Sequence, residues 1–101
     1  MADVWTVHRW WVPDDAERPF TEAWQALAET ITGEGLMQRV SLFADIDEPQ
    51  VRWTPLRWSS QSARRAWRAD AQHRCAEDSI TALCDGIRVH RVILLRAVDR
   101  R

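Results

Sequence analysis

The order of strand-like and helix-like segments is the feature that most constrains how this chain can fold. β-Branched and aromatic residues are concentrated in four segments, and apolar residues recur at helical spacing in two others. The strand-like segments are residues 4–12, 36–44, 51–58 and 87–98, and the helix-like segments are residues 20–31 and the stretch between Ser59 and Gly86. The order βαββαβ predicts a ferredoxin-like α+β fold, a four-stranded antiparallel sheet with two helices on one face. In that topology the first and third strands lie side by side in the centre.

The length and charge of the chain limit its organisation and its partners. With 101 residues, 46% of them hydrophobic, residues 1–101 are predicted to form a single domain. The 14 basic and 15 acidic side chains give a formal net charge of -1, so we expect neither nucleic acid nor an anionic membrane as a partner. No segment has the apolar length of a membrane span or a secretion signal, and a cytoplasmic location is therefore expected.

The cysteines and histidines do not form a recognisable metal or redox motif. Cys75 and Cys84 are nine positions apart on one predicted helix, which separates them by about 13 Å, beyond the ~7 Å limit for a disulfide. Both are predicted to be free thiols. The three histidines lie on different predicted elements, and no Cys or His pair has zinc-like spacing, so no metal site is predicted.

Residues 57–77 contain most of the candidate functional side chains. Two serines that follow Trp58 are candidate N-caps for a helix, and Asp70 restarts that helix. His73 and Glu77 are four residues apart and therefore share a helix face. A strand that ends in tryptophan and leads directly into such a helix can form a pocket wall, or an ordinary part of the core.

Most odd-numbered positions of the first and third strands are apolar, with Arg9 an exception. By strand alternation, one sheet face would present Trp5, Val7, Trp11, Val51 and Trp53. A soluble monomer rarely exposes so much contiguous apolar surface, and no third helix remains to cover it. The simplest cover is a second copy of the chain, packed sheet against sheet about a twofold axis.

Pro55 lies inside the third predicted strand. Proline donates no ladder hydrogen bond, and within sheets it is confined to edges, strand starts and bulges. The sequence therefore predicts a bulge or a missing ladder bond at this residue.

Three tracts match the pattern of one known family. They are the first strand VHRWWV followed by proline and acidic residues, the helix core FTEAWQALAE, and the tract W-S-S-x-x-A-x-x-A-W-x-A-D-x-x-H from Trp58 to His73. Through them the chain resembles the antibiotic biosynthesis monooxygenase-like family of dimeric α+β barrels. That family includes cofactor-independent oxygenases and cyclases acting on aromatic polyketides, haem-degrading oxygenases, quinol oxygenases, and members with no known reaction.

The resemblance implies roles for four residues. Trp58 stands where the polyketide oxygenases and the haem-degrading enzymes have a functional tryptophan at the end of strand three. Thr54 stands where polyketide oxygenases have an asparagine, and His8 stands where the haem-degrading branch has one. Glu77 falls near a functional arginine of the polyketide oxygenases and where the haem-degrading branch has its haem-ligating histidine.

The predicted site is a cleft between the helices and the sheet. Its candidate catalytic residues are Glu77, His8 and Trp58, and its candidate substrate-binding residues are Thr54, Trp10 and His73. An aromatic substrate would stack on an indole while Glu77 or His8 takes a phenolic or enolic proton. The electron-rich anion could then react with O2 without a metal, a flavin or any other cofactor.

The favoured hypothesis is a small cofactor-independent enzyme that tailors an aromatic or polyketide-like metabolite, by monooxygenation of a phenol or quinol with O2. Two alternatives remain open at this stage. One is a polyketide cyclase of the same fold, and the other is a non-catalytic dimeric module that binds a hydrophobic ligand. Titratable groups inside the cleft would favour an enzyme, whereas solvated side chains at His8 and Glu77 would favour the binding module.

Overall fold

The computed structural model describes residues 3–99, in which three α-helices pack on an antiparallel sheet. The strands are β1 (Asp3–Trp11), β2 (Met37–Val40), β3 (Phe43–Ala44), β4 (Val51–Trp58) and β5 (Gly86–Leu94), and the helices are α1 (Glu17–Gly33), α2 (Gln61–Ala69) and α3 (Ala71–Thr81). A 3-10 turn at Asp14–Ala16 precedes α1. None of the helices in this part of the chain is long and apolar enough to cross a membrane.

The sheet has the strand order β2-β4-β1-β5, with β3 also paired to β4. The first and third predicted strands are therefore the central pair, as the ferredoxin-like order requires, and the α+β fold class is confirmed. The strand number is five and not four, because the predicted segment 36–44 is divided into β2 and β3. The last strand ends at Leu94, earlier than its apolar pattern indicated.

Pro55 explains where the second predicted strand divides. On the β1 side, Pro55 pairs in regular register with Val7. On the other side, pairing runs from Val40 opposite Leu56 to Phe43 opposite Trp53, and it is absent between those pairs. The ladder is thus interrupted beside the proline, as the missing N–H donor predicted. A separate irregularity lies between Met37 and Arg39 of β2.

Short polar side chains determine where α2 and α3 begin. The Ser60 hydroxyl accepts a hydrogen bond from the backbone N–H of Ala63 at 3.0 Å, as an N-cap does. One carboxylate oxygen of Asp70 accepts from the backbone N–H groups of Gln72 at 2.8 Å and His73 at 3.3 Å. Asp70 therefore ends α2 and caps α3, and the second helical stretch is two helices.

The core between helices and sheet has two parts. One contains Ile31, Met37, Leu56, Trp58 and Trp67, and the other contains Trp10, Val12, Phe20 and Ile80. Leu27 of α1 packs against both. The two parts do not merge into one continuous cluster, and the space between them is the place where a cavity can form.

The sheet face that carries no helix differs in part from the prediction. Val51 was expected to add exposed apolar surface there, but it is 1% exposed. The Arg9 guanidinium lies 4.5 Å from the ring centre of Trp11 and 5.0 Å from that of Trp53, and it pairs with Glu48 at 3.3 Å. This end of the face is therefore already covered by the chain itself.

The other end of the same face is more open. Trp5 and Val7 of β1 line a groove there with the last residues of β5 and the segment that follows. Val92 is 44% exposed, Leu94 40% and Leu95 88%, which is high for large apolar side chains. The uncovered apolar surface is concentrated at this end.

Candidate active site

A cavity of about 100 Å³ lies between the sheet and the helices. Its floor is centred on His8 of β1, which is paired in register with Thr54 of β4 on one side and Val89 of β5 on the other. Side chains of all three helices complete the wall: Trp24, Leu27, Ala28 and Ile31 of α1, Arg68 of α2, and Glu77, Asp78, Ile80 and Thr81 of α3. Both parts of the core contribute to the lining, so the cavity occupies the space between them.

His8 and Trp10 form a stacked pair on the cavity floor. Their ring centres are 5.2 Å apart with an angle of 19° between the planes. His8 Nδ1 and Trp10 Nε1 are both buried, and neither has a hydrogen-bond partner in residues 3–99. Buried polar atoms are nearly always paired, so these two atoms are candidates for ligand contacts.

The environment of His8 keeps its imidazole neutral. Burial, and secondly the positive charge of Arg68, lower the pKa of His8 from 6.5 to about 4. Both causes disfavour the imidazolium, because it would lose water contacts and lie near another cation. At neutral pH the ring therefore has one nitrogen lone pair free to accept a proton.

Thr54 is a buried polar residue that holds an aromatic wall of the cavity in place. It is 1% exposed, and its hydroxyl accepts a hydrogen bond from Trp24 Nε1 at 2.9 Å. The indole of α1 is thereby fixed against β4. Thr54 lines the cavity where a substrate-binding role was predicted, but its own polar contact within the protein is to Trp24.

Glu77 also lines the cavity, and one of its carboxylate oxygens is already engaged. Trp67 Nε1 donates to Glu77 Oε1 at 2.7 Å. Asp78, the next residue of α3, lines the cavity as well. The site therefore combines a neutral imidazole with two carboxylates and one guanidinium.

Trp58 is not in the cavity, which corrects its predicted position. It is 6% exposed, and its Nε1 donates to the buried Thr6 hydroxyl at 2.7 Å. Its ring packs against Trp67 with 6.5 Å between ring centres. One face of β4 does carry Thr54, Leu56 and Trp58, as expected. Trp58, however, lies two residues beyond Leu56, under α2, and is part of the core.

His73 is also outside the cavity. Its ring stacks on Trp67 with 3.6 Å between centres, and its Nε2 lies 3.1 Å from the carboxylate of Glu34. It lines a groove on the outer side of α1 and α3. His73 and Glu77 do share a helix face, but that face is directed at Trp67, and only Glu77 extends into the cavity.

Trp24 and Arg68 are among the cavity residues that were not identified from the sequence. Trp24 was assigned to the apolar face of the first helix, and its indole N–H gave no indication of an acceptor 30 residues away. Arg68 follows the buried Trp67 and is itself exposed, so its position in the helical pattern predicts a solvated side chain. In residues 3–99 no group of three or more His, Cys, Asp or Glu side chains is arranged to hold a metal ion.

Comparison with known proteins identifies the fold. No family model matches the chain. No curated protein matches it by sequence. Among solved structures, a variant of SnoaB, a cofactor-independent oxygenase from Streptomyces nogalater, superposes with a TM-score of 0.85 at 15% identity, over 97% of this chain and 98% of that chain.

Two further structures give the same result. One is named an antibiotic biosynthesis monooxygenase, with a TM-score of 0.74 and 18% identity over 95% of this chain and 99% of that one. The other is Rv0793 from Mycobacterium tuberculosis, with a TM-score of 0.75 and 15% identity over 98% of this chain and 99% of that one. This chain has the fold of the antibiotic biosynthesis monooxygenase-like proteins, and the fold expected from the sequence resemblance is confirmed.

Proposed function

We propose that this protein is a cofactor-independent monooxygenase that inserts one atom of O2 into a phenol or quinol in the cavity around His8. The observation that carries the proposal is the stacked pair of His8 and Trp10, whose buried ring nitrogens have no partner in residues 3–99. A substrate oxygen could accept from the indole N–H while the imidazole takes the substrate proton. The name of SnoaB as a cofactor-independent oxygenase supports this class of reaction for the fold.

In the proposed reaction the electrons come from the substrate. His8 removes the phenolic proton, and the resulting phenolate passes electrons to O2, so that a carbon–oxygen bond forms at a ring carbon. The hydroperoxide is protonated and its O–O bond breaks. One oxygen atom remains in the quinone product, and the other leaves as water with two hydrogen atoms of the substrate.

His8 is a better candidate for the base than Glu77. One Glu77 oxygen accepts from Trp67, whereas His8 Nδ1 has no partner in the described chain. An imidazole with a pKa of about 4 is a weak base in the empty cavity. Proton transfer would create a phenolate next to the imidazolium, and this opposite charge would raise the pKa of His8 as the substrate ionises. Glu77 is the second candidate.

The same proposal includes a homodimer formed through the helix-free face of the sheet. Trp5 Nε1 is buried there without a partner in residues 3–99, and apolar side chains of β5 remain exposed beside it. A second copy would cover this apolar surface and would present the same surface in return, as a twofold axis requires.

The test of the proposed reaction is O2 consumption with a panel of anthrones and naphthohydroquinones, in the presence of a metal chelator and without flavin. We expect uptake of one O2 per product, and a fall in kcat of about 10²–10⁴-fold in His8→Gln, since removal of a general base has effects of this size. His90→Gln, checked for the same mass in solution as the unmodified protein, is the matched control, because His90 is exposed on β5 and lies opposite Val7 on the sheet face away from the cavity.

Two results would change the conclusion. Unchanged kcat in His8→Gln, with a large loss in Glu77→Gln, would transfer the role of base to Glu77. Binding of the aromatic panel without O2 uptake under any condition would favour the non-catalytic ligand-binding module.

A further inference from the structure

Four arginines lie near one another, and one of them, Arg68, lines the cavity. Arg64, Arg65 and Arg68 lie within α2, and Arg91 lies on β5 opposite Thr6 of β1, which places it on the sheet face that carries the helices. Partial burial, followed by the charges of Arg91, Arg68 and Arg65, lowers the pKa of Arg64. The charges that act on Arg64 are all positive.

This arrangement is slightly unfavourable, and a bound anion would compensate it. Like charges three and four residues apart on a helix destabilise it, and Arg64, Arg65 and Arg68 have both spacings. Four arginines elsewhere in the described chain are paired with carboxylates, in the pairs Arg18–Glu22, Arg52–Glu17, Arg57–Asp3 and Arg9–Glu48. Within residues 3–99, none of the four clustered arginines forms such a salt bridge.

Arg68 connects this cluster to the proposed active site. Arg68 is exposed to solvent and also lines the cavity, so it lies at the entrance, together with the exposed Asp78 of α3. The cavity of about 100 Å³ is smaller than typical ligand pockets of roughly 300–1,000 Å³. An aromatic substrate would therefore fill the cavity with only part of its structure, and the remainder would extend outward past Arg68.

We propose that Arg64, Arg68 and Arg91 form an anion-binding subsite at the cavity entrance, which takes a carboxylate carried by the aromatic substrate. The planar guanidinium group matches a carboxylate in two-point hydrogen bonds, and it stays charged at every physiological pH. The proposal rests on the proposed function for the position of the ring, and it adds the chemical class of the substrate. Aromatic acids are expected to be preferred over their neutral analogues.

The test compares 2-naphthoate with 2-naphthamide, which have nearly the same shape but differ in charge. Binding is followed by quenching of tryptophan fluorescence, because Trp10 and Trp24 line the cavity. We expect naphthoate to bind about 10-fold more tightly than naphthamide, as a solvent-screened charge-assisted contact allows. Arg68→Gln and Arg91→Gln should each remove most of this preference, so that the two ligands bind with similar affinity.

Arg18→Gln is the control for general charge, because Arg18 is an exposed arginine of α1 whose partner is Glu22. Equal binding of the two ligands by the unmodified protein would overturn the proposal, and so would absence of binding of both. An equal loss of naphthoate affinity in Arg18→Gln would also overturn it. The measurement needs no turnover, so its failure is distinguishable from failure of the O2 reaction.

Discussion

The two faces of the sheet differ in whether their buried polar atoms have hydrogen-bond partners. On the face that carries the helices, the Thr6 hydroxyl accepts from Trp58 Nε1 at 2.7 Å and the Thr54 hydroxyl accepts from Trp24 Nε1 at 2.9 Å. Each buried threonine is therefore matched to one indole N–H. On the other face, buried nitrogens of Trp5, Arg9 and Arg57 have no partner for those atoms in residues 3–99.

The difference indicates where the described chain supplies hydrogen-bond partners for its own buried polar groups and where it does not. A buried polar group without a partner costs about 1–3 kcal/mol, so such groups rarely persist without a reason. On the helix-bearing face, the exceptions are His8 and Trp10, and both line the cavity. In the function proposed above, a ligand supplies the missing partner on that face, and a second copy of the chain covers the open end of the other face.

The largest expected effect is that of Trp5→Asp. The carboxylate would be enclosed between two sheets without a partner, a burial far more costly than the loss of one indole. The purified protein should therefore have the mass of a dimer in light scattering at micromolar concentration, and Trp5→Asp should have the mass of a monomer or should not fold.

Ile46→Asp is the matched control for this experiment. Ile46 is 96% exposed, so its replacement adds the same charge without burial. A monomeric mass for the unmodified protein would contradict the assignment of this face, and so would an unchanged dimer in Trp5→Asp.

The next largest effect concerns the pH dependence of stability through His8. Because its pKa is about 4 in the folded protein and about 6.5 when unfolded, the unfolded chain binds more protons between these values. The stabilising contribution of the neutral, buried ring is present above pH 6.5 and is lost as the pH falls towards 4. The loss should amount to about 3 kcal/mol at its full extent.

Denaturant unfolding at pH 7.5 and pH 4.5 measures this loss directly. Compared with the unmodified protein, His8→Gln should lose less stability between the two pH values, because glutamine does not titrate. The comparison removes the contributions of the two acidic side chains that line the same cavity, Glu77 and Asp78, because both are present in the two proteins. Parallel pH dependences in the two proteins would show that His8 is not held neutral by burial.

Much of the fold could be predicted from the sequence because the hydrophobic periodicity and the residues that cap or interrupt elements indicate the same boundaries. Asp70 was expected to restart the second helix, and it caps α3 with two backbone hydrogen bonds. Pro55 was expected to interrupt the ladder, and it does so on the side of β2 and β3. The predicted strand number was wrong, since β-propensity continues through Ser41 and Leu42 but neither residue pairs with β4, where this proline interrupts the ladder.

The site was harder to predict because strand alternation gives the sheet face of a residue but not which helix lies above it. Thr54 and Trp58 share a face, yet only Thr54 reaches the cavity, and Trp58 lies under α2. The separation of His73 from Glu77 depends on where Trp67 inserts its ring, which is a property of tertiary packing. Arg68 could not be recognised, because its helix position is that of an ordinary solvated residue.

A smaller effect is expected when one of the threonine and tryptophan pairs is broken. Thr6→Val keeps the volume of the side chain and removes the acceptor of Trp58 Nε1, which leaves a buried donor unsatisfied. We expect a loss of about 1–3 kcal/mol in the free energy of unfolding.

Thr21→Val provides the reference for this measurement. Thr21 is exposed on α1, and its hydroxyl donates only to the backbone carbonyl of Glu17, so its replacement should change stability by less than about 0.5 kcal/mol. Equal effects of the two substitutions would show that the pairing on the helix-bearing face does not contribute to stability.

The smallest expected effect is that of Glu48→Gln on the opposite face. Glu48 pairs with Arg9 at 3.3 Å, but its side chain is 57% exposed, and exposed ion pairs contribute roughly 0–1 kcal/mol. The stacking of Arg9 between Trp11 and Trp53 does not require the carboxylate, so the covered end of the face should remain covered. We expect a change of less than about 0.5 kcal/mol in low salt and none at 1 M salt, where the charges are screened. A larger, salt-independent loss would show that Glu48, and not the two indoles, holds Arg9 in place.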